Sequence, residues 1–105
     1  MDRHYKGVIW TNHALDRLKQ RSIKQGDAWA TLVRPDTSRY AEAKKAWIYS
    51  RNFKGTAIEV VAQRNERREW VVLSVWSRPA EARQSWTDKL IDAVIKLWRR
   101  KKHAT

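Results

Sequence analysis

The pattern of apolar residues predicts an α+β fold. Two N-terminal helices pack on a small antiparallel β-sheet, in the order β-α-α-β-β-β, and a C-terminal amphipathic helix follows. A short apolar strand runs directly into two stretches of helical periodicity, over residues 7–34. Three segments rich in β-branched and aromatic residues come next, between residues 46 and 76, divided by turn residues. From Pro79 the apolar residues return to three- and four-residue spacing. Residues 1–78 make the α+β core and 79–105 the C-terminal helix with its basic tail. A chain of 105 residues supports one modest core, so both belong to a single domain.

Gly7-Val8-Ile9-Trp10 reads as the first strand, with Thr11 or Asn12 as N-cap of a helix from His13 to Arg21. The second helix starts near Gln25-Gly26-Asp27 and turns Ala28, Trp29, Leu32 and Val33 inward. It stops at Arg34, because the residue before Pro35 is pushed out of helical geometry. Pro35-Asp36-Thr37-Ser38 reads as a turn. Ala46 to Arg51 alternates as a strand and Lys54-Gly55 breaks it. Thr56–Gln63 and Glu69–Trp76 form an antiparallel hairpin around Asn65-Glu66-Arg67. On this reading Ile58, Val60 and Ala62 share a face with Val71, Leu73 and Val75, and Trp70, Val72 and Trp76 line the other. Trp86, Leu90, Ile91, Val94, Leu97 and Trp98 give the C-terminal helix its apolar stripe, which covers the sheet, pairs two copies or meets a membrane. Asp88 and Asp92 interrupt its polar side and weigh against the membrane.

Charge narrows the partner. With 23 Lys and Arg against 11 Asp and Glu, the net charge is +12, which calls for an anionic ligand, nucleic acid first. The absence of cysteine excludes disulfides, thiolate chemistry and cysteine-built zinc sites. His4, His13 and His103 have no metal-ligand spacing, and no glycine-rich phosphate loop occurs, so no metal and no cofactor is expected. No run approaches the ~20 apolar residues of a membrane span, and the N-terminus lacks a secretory apolar core. A cytoplasmic protein is the expectation.

His13, Arg17 and Arg21, spaced i, i+4, i+8, make one cationic stripe on the first helix. A neutral imidazole, with its ordinary pKa of about 6.5, can take a proton from a ribose 2′-hydroxyl while guanidiniums hold the phosphate. The plainer reading is a solvated helix face. Tyr49 and Arg51 share a strand face with Trp47, which suits either stacking on unpaired bases or an ordinary cross-strand cluster. Trp76 is the candidate base platform at the end of the last strand, with Arg78 beside it. Arg64, Arg67 and Arg68 surround the hairpin turn as candidate contacts to a nucleic-acid backbone.

The run His13-Ala14-Leu15-x-Arg17-x-x-x-Arg21-x-Ile23, with the closing strand Val71-Val72-Leu73-Ser74-Val75-Trp76, resembles the bacterial domain-of-unknown-function 4258 family over roughly residues 7–78. The resemblance implies a fold similar to RelE/ParE-type toxins and barnase-, colicin- and EndoU-like ribonucleases, in which a basic sheet face holds RNA and cuts it without metal. His13, Arg17, Arg21 and the strand end at Trp76 match its motif, while Tyr49 and Arg51 come from face and chemistry alone. The expected function is a metal-independent endoribonuclease, toxin-like, acting on single-stranded or ribosome-associated RNA. Its catalytic set would be His13, Arg17, Arg21, Tyr49 and Arg51. The alternative is a non-catalytic nucleic-acid- or protein-binding module using the same basic surface. Candidate partners are RNA, an acidic antitoxin or inhibitor protein, and a second copy through the C-terminal helix.

Overall fold

The computed structural model describes residues 1–42 and 45–80. The elements run β1 (His4–Tyr5), β2 (Val8–Trp10), α1 (Asn12–Gln20), α2 (Gln25–Val33), β3 (Thr37–Ala41), β4 (Ala46–Phe53), β5 (Thr56–Arg64) and β6 (Trp70–Pro79). They form one six-stranded sheet in the order β1-β2-β6-β5-β4-β3. Every pairing is antiparallel except β2 with β6, which is parallel. The expected small antiparallel sheet with leading helices is therefore corrected. The sheet is mixed, two strands precede the helices, and β1 and β3 join its edges. The expected C-terminal helix lies outside the described residues, and Pro79, placed there by the sequence, ends β6 instead.

Local chemistry accounts for the turns. Lys6-Gly7 and Lys54-Gly55 are two-residue hairpin loops in which both residues have positive φ. That backbone matches the right-handed twist of the flanking strands. In the second loop the Gly55 N–H also donates to Asn52 Oδ1 at 2.9 Å. The β5–β6 loop is organised by Asn65, whose Oδ1 accepts from the N–H groups of both Arg67 and Glu69 at 2.9 Å.

Thr11 joins strand to helix. Its hydroxyl accepts from the Ala14 N–H and donates to the Leu73 carbonyl, each at 3.1 Å, so one side chain caps α1 and fastens it to β6. At the other end of α1, Ser22 takes φ +53. The Ser22 N–H donates to Lys19 O and the Ile23 N–H to Leu18 O. Buried Leu18 and Ile23 lie in the same core cluster, so the helix closes as a Schellman motif with serine where glycine is favoured. The helix ends at Gln20, and Arg21 is its C-cap rather than a third helical stripe position.

α1 packs on β6, and α2 on β5 and β4. The core beneath them holds Val8, Trp10, Leu18, Ile58, Val60, Ala62, Val72 and Val75. The opposite face carries a second buried cluster of Ala46, Ile48, Val61, Val71, Leu73 and Trp76. The expected division of faces is corrected here. Val61 pairs with Ser74 and Ala62 with Val72, so Leu73 is an extra residue in β6. This bulge reverses the inward–outward alternation beyond it. Val71 and Leu73 therefore leave the face of Ile58, Val60 and Ala62, and Trp76 parts from Trp70 and Val72.

Two stability measurements follow. Ser22→Gly removes the cost of a left-handed side-chain residue and should raise the urea-unfolding free energy by about 1 kcal/mol. Arg78→Met should lower it by about 3–5 kcal/mol, because it removes a guanidinium paired with the buried Glu59 carboxylate at 2.6 Å.

Candidate nucleic-acid interface

β3 and β4 set Tyr40 directly opposite Trp47, and Tyr49 lies two residues along the same face of β4. The Tyr40 and Trp47 ring centroids are 5.0 Å apart. Trp47 and Tyr49 stack at 5.9 Å with their planes 11° apart. Tyr49 then meets the edge of Trp70, on β6, at 5.8 Å. This last contact spans β5, where fully buried Ala62 pairs with Trp47 on one side and Val72 on the other. A methyl side chain there leaves the room that the larger rings occupy. The result is a continuous aromatic row across the sheet, its rings half-buried or, at Tyr40, 44% exposed.

Arginine closes one end. The Arg64 guanidinium sits 4.3 Å from the Trp70 ring centroid, and its Nη1 donates to the Arg68 carbonyl at 2.6 Å. Arg67 and Arg68 are exposed at the tip of the same hairpin. Arg51 is half-buried on the Tyr49 face, 5.2 Å from the Phe53 ring centroid. Burial raises the Tyr49 phenol above the ordinary tyrosine value of 10.0, with the Arg64 charge opposing the rise. A neutral phenol at every physiological pH makes Tyr49 a stacking and hydrogen-bonding group rather than a base.

The stripe on α1 is a separate cluster. Arg17 Nε donates to His13 Nε2 at 3.5 Å, a long bond, and Arg17 Nη1 to Gln20 Oε1 at 3.2 Å. Arg21 is exposed beyond the helix end. Arg17 thus bonds within its own helix, and Tyr49 packs against rings of the sheet.

Trp76 and Arg78 stand elsewhere. Both are buried, on the opposite face from Tyr49, and both donate to Glu59 Oε1, Arg78 Nε at 2.6 Å and the Trp76 indole at 3.4 Å. A tryptophan 3% exposed and bonded to a buried carboxylate offers no platform to a base, so these two residues are reassigned to an internal ion-pair network. Sequence reasoning missed Glu59, although a carboxylate inside the apolar run Ile58–Val61 signals a buried partner. It also missed Tyr40, which the structure puts on β3, a strand that begins inside the expected Pro35–Ser38 turn. Among the described residues no cluster of His, Asp and Glu could hold a metal ion, and no helix is long and apolar enough to cross a membrane.

Fold and surface together define a compact α+β domain with an aromatic, arginine-flanked sheet face. The chain belongs to the family described as Domain of unknown function (DUF4258), which matches residues 10–77. That span runs from Trp10 through Ser77 and takes in the whole aromatic row. No curated protein matches the chain, and no solved structure does.

The Tyr49 shift has a pH consequence. Between pH 10.0 and the raised folded value, the native chain holds a proton that the unfolded chain has released, so stability falls as pH rises through that window. Tyr49→Phe should remove that part of the alkaline destabilisation. Urea unfolding of both proteins between pH 9 and about 11.5 checks the sign.

Proposed function

We propose that the protein binds single-stranded RNA across the Tyr40–Trp47–Tyr49–Trp70 row. The observation that carries the reading is the continuity of those rings, at 5.0 to 5.9 Å, with Arg64 over the last of them. Unpaired bases expose flat π-faces that stack on such side chains, and cations beside them neutralise the phosphates. The net charge of +12 supplies long-range attraction to that backbone. The fold implied by the family resemblance, similar to RelE/ParE-type toxins and barnase-, colicin- and EndoU-like ribonucleases, favours RNA over other polyanions.

The test is fluorescence anisotropy with a labelled ten-nucleotide RNA in EDTA. Trp47→Ala and Trp70→Ala should each weaken binding by about 5- to 150-fold, the cost of about 1–3 kcal/mol per stacked base. Arg64→Ala should also flatten the salt dependence by about 0.7 in log–log slope. Unchanged affinity in both tryptophan variants would remove the reading.

A second reading adds cleavage on the same RNA, and the His13–Arg17 pair favours it. Arg17 Nε lies 3.5 Å from His13 Nε2, so an imidazole and a guanidinium stand side by side on one helix. Such a pair can take the 2′-hydroxyl proton and stabilise charge on the phosphorus. In EDTA, wild type should cut the RNA and His13→Ala should do so about 100- to 10,000-fold more slowly. Intact RNA after long incubation with wild type leaves binding alone.

A further inference from the structure

The sheet ends at β3, where Thr37, Ser38, Arg39 and Tyr40 are all exposed, whereas the strand at the other edge, β1, is two residues long. An edge strand leaves backbone N–H and C=O groups without a ladder partner, and natural sheets cover or disrupt such edges. Among the described residues no strand pairs with the outer side of β3. The large hydrophobic residues exposed among those described are Met1, Val33 at 46% and Tyr40 at 44%. Tyr40 lies on β3 itself, and Val33 ends α2, just before the turn that leads into it.

We propose that β3 is a docking edge for an extended acidic segment of another protein, which adds to the sheet as a further strand. An added strand gains affinity from backbone hydrogen bonds and selectivity from alternate side chains. Tyr40 and Val33 receive the apolar side chains of that segment. Charge selects its other residues, because the chain carries +12 and exposed Arg34 and Lys45 flank the strand on either side. Of the acids nearby, Glu42 is exposed and Asp36 is occupied, its Oδ2 accepting from the Asn52 N–H at 2.8 Å. A second copy fits this edge poorly. Antiparallel self-pairing about the middle of Thr37–Ala41 sets Arg39 opposite Arg39, and like charges directly opposed are destabilising.

An eight-residue peptide of alternating glutamate and valine, with blocked termini, is the probe. Titration calorimetry should show binding, and hydrogen exchange followed by NMR should show new protection at alternate β3 amides. The same peptide stripped of its backbone donors by N-methylation should not bind, nor should its lysine–valine counterpart. Val33→Lys should weaken binding about fivefold or more while leaving RNA affinity intact, since Val33 is outside the aromatic row. No binding of the glutamate–valine peptide overturns the proposal. So does equal binding of the N-methylated form, or protection at Asn65–Glu69 in place of β3. Protection of β3 that grows with protein concentration and no peptide overturns it in favour of a second copy. None of these readouts depends on RNA.

Discussion

The β5–β6 hairpin is the frame against which the other elements are laid. β2 and α1 lean on β6, while β4 and α2 lean on β5. Both hairpin strands are buried over most of their length on both faces, which is why they read as near-continuous apolar runs. Asn65 closes the loop that joins them, and Thr11 fixes the first helix to the middle of β6. A hairpin is cheap to form because its contacts are local, whereas the parallel β2–β6 pairing spans the chain, and Thr11, just after β2, adds two bonds to β6 beside it.

One extra residue in that hairpin decides what each tryptophan does. Before the bulge at Leu73, Trp70 faces the helix-covered side and joins Tyr49. Beyond it, Trp76 faces the other way and donates to Glu59 beside Arg78. Unbroken alternation would put both indoles on one face. The bulge therefore splits a tryptophan pair into one solvent-reaching ring and one internal anchor. Arg64 and Arg78 divide in the same way, the first over a half-buried ring and the second neutralising a buried carboxylate.

Much of this was legible in the residues. The spans of α1 and α2, the stop at Arg34 before Pro35 and the cores of β4, β5 and β6 follow from periodicity and turn chemistry. So does the shared face of Trp47, Tyr49 and Arg51. β3 was hidden because Thr37-Ser38-Arg39-Tyr40 is polar and follows Pro35-Asp36, so an edge strand looks like a turn. β1 was hidden by its two-residue length, although Lys6-Gly7 carries the same positive-φ signal as Lys54-Gly55. The bulge has no composition of its own: Leu73-Ser74 looks like any other step of a strand, and only the register reveals it. Losing that register meant losing the roles of Trp70 and Trp76.

The central claim is that the aromatic row on the helix side, and not the tryptophan on the other face, meets RNA. The most direct measurement is NMR of the indole N–H resonances as a single-stranded oligonucleotide is added. The account predicts large shifts for Trp47 and Trp70, with Trp10 and Trp76, both buried, left nearly in place. Shifts led by Trp76, or the same small change in all four, would contradict it.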